Sequence, residues 1–409
     1  MKRYPWQTTL LLAVVIILLL SSCSGLSVRV PAFPTAEGPS PTAPEPSLEL
    51  LPTFEAPPQD VSLEWSDELS EAYCTSGNPG RFSSLVYTAS AYYIVQSGDP
   101  RSVWRFLQDA NDGEIIAQSL AEDGQFIESL RVNDEWLVML IFDHPMHVQG
   151  WRVEVLNLET NGQQRLIDNI ESDDNIVYLD MGLQGDMLYF LTHTVTEDDS
   201  GQLSTIHAFN LADGTQEILL NLESDLIYKQ LAVSEKYLMI SQSVSAKAQD
   251  AALPILFYSF ENEQLEELME ISGSHPLMSW PLAAWSEQGP NQLPETFKVF
   301  DFESQLSWPL LIQGEQPCNF DLSNKYLGWI DPSEPTSAFP AVFLMSLDDG
   351  QRITVNAEAQ ELMPQFPQVR DDKLILGLVR DFGSADAQGM ICTIPLDDLQ
   401  ALAQPVPEP

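Results

Sequence analysis

Basic residues are scarce in this 409-residue chain: 18 lysines and arginines face 60 aspartates and glutamates, for a formal charge of −42. That imbalance excludes a nucleic-acid binder, because affinity for a phosphate backbone rests on Lys and Arg. It also argues against docking on anionic headgroups through a basic patch. A solvated acidic surface is the plain reading, and it favours solubility. No apolar run reaches the roughly 20 residues that a membrane-crossing helix needs; residues 10–20 form a run of eleven. There is no Gly-x-Ser-x-Gly elbow and no alternation of strands with helices, which excludes a serine peptidase built on an α/β domain. Histidine is rare as well, at five residues. Asp143, His144 and His147 are the metal candidates, with two imidazoles three apart. A catalytic zinc site needs three protein ligands and an open position, and His193, His207 and His275 fall in other units. The segment therefore reads first as a loop between two strands.

What the chain does have begins at its start. Lys2 and Arg3 precede the apolar run, and small residues follow it. This is the layout of a secretory signal h-region. Leu20-Ser21-Ser22-Cys23 then resembles the lipobox of bacterial lipoproteins. The resemblance implies cleavage before Cys23 and a diacylglyceryl thioether on its sulfur. It makes 1–22 a signal peptide and places the protein in the cell envelope, anchored by lipid and exposed outside the cytoplasm. Several acyl chains hold a protein stably where one alone is marginal. Cleavage removes Lys2 and Arg3 and no acid, which moves the charge by two to −44.

After the lipidated cysteine, 23–60 reads as a tether. Nine prolines lie between Val30 and Asp60. Proline fixes φ and removes a donor, so neither ladder nor helix can form there. The expected form is an extended spacer, rising about 3.1 Å per residue.

Residues 61–409 carry an internal repeat. Alternating strands flank tight turns in "RFLQDANDGEIIA" (105–117), "VLNLETNGQQRLI" (155–167), "AFNLADGTQEILL" (208–220), "YSFENEQLEELM" (258–269), "VFDFESQLSWPLL" (299–311) and "LMSLDDGQRITV" (344–355). "TIPLDDLQAL" (393–402) is an incomplete copy. Asn-Gly and Asp-Gly between such strands predict two-residue hairpins with positive φ at both turn positions. An apolar residue marks the phase at Leu158, Leu211, Phe260, Phe302, Leu347 and Leu396, at intervals of 53, 49, 42, 45 and 49; Ala110 lies 48 before Leu158. Strand-only units with a period of 40 to 50 are the mark of propeller blades. Two further strands precede each hairpin. The expected fold is all-β, a β-propeller of seven four-stranded blades. The seventh unit lacks a clear fourth strand, and "VSLEW" (61–65) is expected to supply it and close the ring. Six or eight blades, or tandem β-sandwiches, are the alternatives. Short helices are expected at 396–403 and within 65–73.

The chain resembles the broad class of bacterial β-propeller lipoproteins, loosely TolB-like and WD40-like. No WD dipeptide or GH signature closes the units, so the resemblance implies an architecture and a binding role, and no functional residues. Partners are then the membrane, through the N-terminal lipid, and a protein or glycan ligand, with no nucleic acid.

The remaining chemistry is sparse. "DANDGE" (109–114) and "TEDDSG" (196–201) fit ordinary turns better than calcium loops, since Gly113 falls at position five and no Glu follows at twelve. No cofactor is expected, and structural calcium has no support beyond these turns. Trp280, Trp285 and Trp308 cluster in the fifth unit and are glycan-stacking candidates, against packing between blades. An exported chain permits disulfides. Cys74 and Cys392 are a candidate pair across the ring closure, and Cys318 is the rival partner. A non-enzymatic binding or scaffold module is the leading expectation. A carbohydrate-active enzyme with a carboxylate pair at the axis and a calcium-stabilised envelope protein are the alternatives.

Overall fold

The computed structural model describes residues 59–406, apart from 76–78, 109–111, 120–124, 145–149, 171–175, 196–201, 224–226, 243–254, 267–272, 289–293, 313–316, 333–338, 383 and 385. Leu20, Ser21, Ser22 and Cys23, the tether up to residue 58, Ala110, His147 and most of the two acidic turns lie outside the described residues. Among the described residues no helix is long and apolar enough to cross a membrane.

Seven antiparallel sheets follow one another along the chain, at 82–118, 126–168, 176–223, 228–266, 274–311, 318–356 and 362–395, here blades one to seven. Each of blades one to six meanders through four strands in sequence order. The core is divided among the junctions between blades: seven buried apolar clusters each join two neighbours, and one of them joins blade seven to blade one through Ile375, Val379 and Ile391 against Phe82, Leu85 and Ile94. The ring is therefore closed, and the chain is an all-β seven-bladed propeller.

The arrangement explains two kinds of sequence pattern. Trp136–Phe142 reads "WLVMLIF" with no polar residue. It is the second strand of blade two and is buried on both faces. Leu137, Met139 and Ile141 face blade one, while Val138, Leu140 and Phe142 face blade three. A strand covered on both sides has no reason to alternate. Outer strands such as Gln163–Asp168 are covered less and carry the charges.

The phase residues have one physical role. The amides of Leu158, Leu211, Phe260, Phe302, Leu347 and Leu396 donate to the carbonyls of Glu135, Asp186, Lys236, Pro281, Lys325 and Asp372, at 2.8 to 3.1 Å. Each bond ties the end of a third strand to the turn between the first two strands of its blade. In blade one Gln108 makes it, to Ser90. Where the residue is apolar its side chain is buried, as at Leu211, Phe302, Leu347 and Leu396, or partly buried, as at Leu158 and Phe260. The hairpin turns differ from expectation. Only one residue per turn is left-handed: Asn161, Gly214, Glu263, Gln305 and Gly350, with φ between 53° and 75°. Four residues make each turn, and the amides of Asn161, Gly214, Gln305 and Gly350 bond back to the last strand residues Asn157, Asn210, Asp301 and Ser346. A single left-handed position tolerates Glu and Gln, which a two-residue type I′ turn disfavours.

Ring closure also differs from expectation. Val61–Glu64 does not complete blade seven. It adds in parallel to Arg352–Asn356 on the edge of blade six, and Gln404–Pro405 adds beyond it. Ser66 then caps a helix, Asp67–Tyr73, accepting from the Leu69 amide, with Asp67 and Glu68 in the first turn. This helix carries the chain from the edge of blade six to that of blade seven. There Cys74 forms an antiparallel bridge with Cys392, and the Thr75 amide donates to Ile391 at 2.9 Å. Blade seven itself has three strands, Leu362–Val369, Lys373–Arg380 and Gln388–Pro395, and Cys74–Thr75 occupies its fourth position. No return strand follows Leu396, because the chain there turns into the helix Leu396–Leu402, whose Leu396 and Leu399 are buried.

Candidate functional site

The first strand of every blade lies nearest the axis, and all seven are irregular at the same point. Pairing with the second strand skips one residue in blades one to four: Ser83, Glu128, Leu179 and Lys229. In blades five to seven it skips two, with His275, Asn319 and Phe366 left-handed at φ 53°, 53° and 48°. Such bulges re-aim the residues that follow them. Those residues sew the blades together. Asp180 accepts from the Leu231 amide of blade four at 3.0 Å and from Arg131 of blade two at 3.4 Å. The side-chain Oε1 of Gln230 accepts from the His275 amide at 3.0 Å. Asp321 accepts from the Val369 amide at 2.6 Å and lies 3.5 Å from Arg370. Gln368 donates to the Leu85 carbonyl, joining blade seven to blade one. Burial pushes the Asp180 and Asp321 carboxyls up, against the pull of the arginines and amides. It also raises Glu128 and lowers Lys229 on the same inner strands. Hydrophobic periodicity does not single out these groups. A signal was present, however: a polar–apolar pair recurs within the first strands, as Ser84-Leu85, Ser129-Leu130, Asp180-Met181, Gln230-Leu231, Asp321-Leu322 and Gln368-Val369.

The structure brings Cys74 and Cys392 together as a disulfide across the closure. Cys318 is not part of it and packs, partly buried, against the cluster between blades six and seven. Asp143 and His144 are exposed, and the Asp143 amide donates to the Gly150 carbonyl. Among the described residues no three His, Cys, Asp or Glu side chains gather as metal ligands.

The other histidines are structural. His207 stacks on Phe190 with its Nε2 3.1 Å from Thr192 Oγ1. His275 places Nδ1 2.9 Å from Ser286 Oγ and 3.1 Å from Ser274 Oγ. Burial lowers the pKa of His193, His207 and His275. A folded-state histidine pKa below the unfolded value of about 6.5 contributes stability above that pH, which is lost as pH falls through the lowered value. Asparagine tolerates the left-handed φ at position 275. The His275→Asn variant is thus expected to lose less stability than wild type between pH 7.5 and pH 5. Thermal melts across that range check it, and parallel curves would refute it.

The three fifth-unit tryptophans part company. Trp285 is fully buried between blades four and five. Trp280 is half-buried, stacked with Tyr237 at 6.0 Å and Phe302 at 5.5 Å, with the Lys236 ammonium 4.2 Å from its ring centroid. Trp308 lines a recess of about 420 Å³ between blades five and six. Blade five also lends Pro281, Leu282, Asp301 and Leu306 to the recess, and blade six lends Asn324, Leu347 and Asp348. The Trp308 Nε1 is buried and has no hydrogen-bond acceptor among the described residues. Asp301 is engaged within its own turn, accepting from the Glu303 amide and the Ser304 hydroxyl. Asp348 and Asn324 are exposed.

No protein-family model and no curated protein matches the chain. Solved structures do. A prolyl endopeptidase structure matches at TM-score 0.55 and 11% identity, over 84% of this chain and 50% of that one, so the chain spans half of its length. An oligogalacturonate lyase from Vibrio parahaemolyticus matches at 0.51 and 10%, over 80% and 92%. TolB from Acinetobacter baumannii matches at 0.40 and 9%, over 76% and 78%. At such identities the likeness to the endopeptidase and the lyase is one of fold, and it agrees with the topology: this chain is a seven-bladed β-propeller.

Proposed function

We propose that the protein is a lipid-anchored propeller, held outside the cytoplasm through Cys23 and lifted on the Pro-rich segment, that binds a protein or glycan partner without transforming it. The observation that carries this reading is the use made of the ionisable groups near the axis. Asp180 and Asp321 are taken up as acceptors for backbone amides of the adjoining blade and as partners of Arg131 and Arg370. Carboxylates engaged in this way make a rigid frame, and rigid frames preorganise a binding surface. The Cys74–Cys392 disulfide supports an oxidising compartment.

The rival reading, a carboxylate-pair carbohydrate-active enzyme, has one observation in its favour: Asp301 and Asp348 line the same recess. Asp301, however, is held in its own turn by two donors. The test is crosslinking and affinity purification of the full-length protein from native membranes, beside a Cys23→Ala variant. The expected result is a defined protein or glycan that survives stringent washing and is lost with the anchor. If nothing enriches, and purified protein cleaves polysaccharide instead, the binding reading fails.

A further inference from the structure

The recess between blades five and six is explained by comparing the repeats. The third-strand amide bonds make Lys236 and Pro281 equivalent, and likewise Phe302 and Leu347. The neighbouring residues correspond too, Tyr237 to Leu282 and Trp280 to Asn324. Between blades four and five this position is filled from within. Tyr237 stacks on Phe302 with ring centroids 4.4 Å apart, Trp280 lies against both rings, and the Lys236 ammonium covers Trp280. Between blades five and six the two large rings are replaced by Leu282 and Asn324, and the lysine by Pro281. The volume they would fill is the recess of about 420 Å³.

We propose that this recess receives a lysine or arginine side chain of a basic protein partner. The proposal rests on the binding reading above and gives it a site and a partner chemistry. Three features select a cation on an aliphatic stem. The walls formed by Leu282, Leu306 and Leu347 suit methylenes, which long basic side chains lay along apolar surface while the charged head stays in polar company. The Asp301 and Asp348 carboxylates supply acceptors for the head, and Trp308 supplies an aromatic ring. Among the described residues no lysine or arginine lines the recess. The chain around it carries a formal charge of −42, which draws basic segments in and repels acidic ones. The adjoining junction already shows the same solution within the protein, a lysine ammonium resting on an indole ring.

The test is fluorescence anisotropy on the full-length protein in detergent, with a labelled peptide containing Arg-Gly-Arg and a twin in which citrulline replaces each arginine. The arginine peptide is expected to bind, and the twin to bind about tenfold more weakly or worse. Asp348→Asn should weaken the arginine peptide by about tenfold, as should Asn324→Trp, which plugs the recess with the residue of the preceding blade. Glu303→Gln removes the same charge at the equivalent position of blade five, outside the recess, and should leave binding within about twofold. Absence of binding, equal losses from Asp348→Asn and Glu303→Gln, or full binding by the citrulline twin would overturn the proposal. So would displacement of the peptide by a neutral oligosaccharide such as cellohexaose, which would make the recess a glycan site. If Asn324→Trp does not fold, Asp348→Asn against Glu303→Gln decides. Capture of a membrane partner by Asp348→Asn at wild-type yield removes this site alone and leaves the binding reading standing.

Discussion

The Cys74→Ser/Cys392→Ser variant is expected to unfold about 5 kcal/mol more easily than the oxidised protein, with a melting temperature lower by about 7 °C. The disulfide joins residues 318 apart in sequence. It thereby ties the N-terminal segment to the last blade across nearly the whole domain. A crosslink over so long a loop removes much conformational freedom from the unfolded chain, and in the chain-entropy account the gain grows with the logarithm of loop length. The native state has a local reason to depend on it as well. Blade seven has three strands of its own, and beside the bond its fourth position is held by the Cys74 bridge and the Thr75 amide. Scanning calorimetry of the oxidised protein, the double variant and Cys318→Ser would measure this. Cys318→Ser should melt near wild type. A loss below about 1 kcal/mol in the double variant would show that packing alone closes the ring.

Arg152→Met is expected to cost about 3–5 kcal/mol, and Arg152→Met/Glu154→Leu to recover most of it. Arg152 and Glu154 sit on the third strand of blade two, interleaved with Val153 and Val155, on the face turned toward blade one. Their side chains are 2% and 0% exposed and lie 3.8 Å apart. Arg152 also donates to Asp168 at 2.9 Å, and Gln163 donates to Glu154 at 3.0 Å. Removing the guanidinium alone leaves a carboxylate sealed between two blades with its positive partner gone. Removing both charges leaves aliphatic groups in an apolar junction, a change that is often neutral. Asp168 stays paired with Arg165 in either case. Denaturant melts of the two variants give the comparison. Equal losses would mean that the pair holds the junction together by its geometry and hydrogen bonds, not merely by avoiding a lone buried charge.

Much of the architecture was legible in the chain. The spacing from Leu158 to Leu396 reports a bond repeated in every blade, so the period has a structural cause. "WLVMLIF" announced a strand covered on both faces, because only such a strand can be apolar throughout. The hairpins were found at their true positions, though with the wrong turn geometry. Asn-Gly and Asp-Gly fit a two-residue turn as well as the four-residue turn that occurs, and Glu263 and Gln305 at the left-handed position are what distinguish them.

The site was less legible. Trp280, Trp285 and Trp308 are near in sequence, yet one is core, one is stacked against the preceding blade and one lines an open recess. Their fates depend on which side of blade five each side chain leaves, and on whether the residue opposite is Tyr237 or Leu282. "VSLEW" had the composition of a strand but no mark of its partner, since edge pairing is made by backbone groups that every residue carries. Composition and period by themselves determined an acidic, all-β chain of repeated four-stranded units, because charge, hydrophobic alternation and turn residues are local properties that survive in any conformation. Only the tertiary structure decided which edge receives the N-terminal strand, which carboxylates serve as ties between blades and which junction stays open. Those outcomes depend on side chains some 40 to 50 residues or more apart meeting across a closed ring, where one large residue in place of a small one fills the space or leaves it.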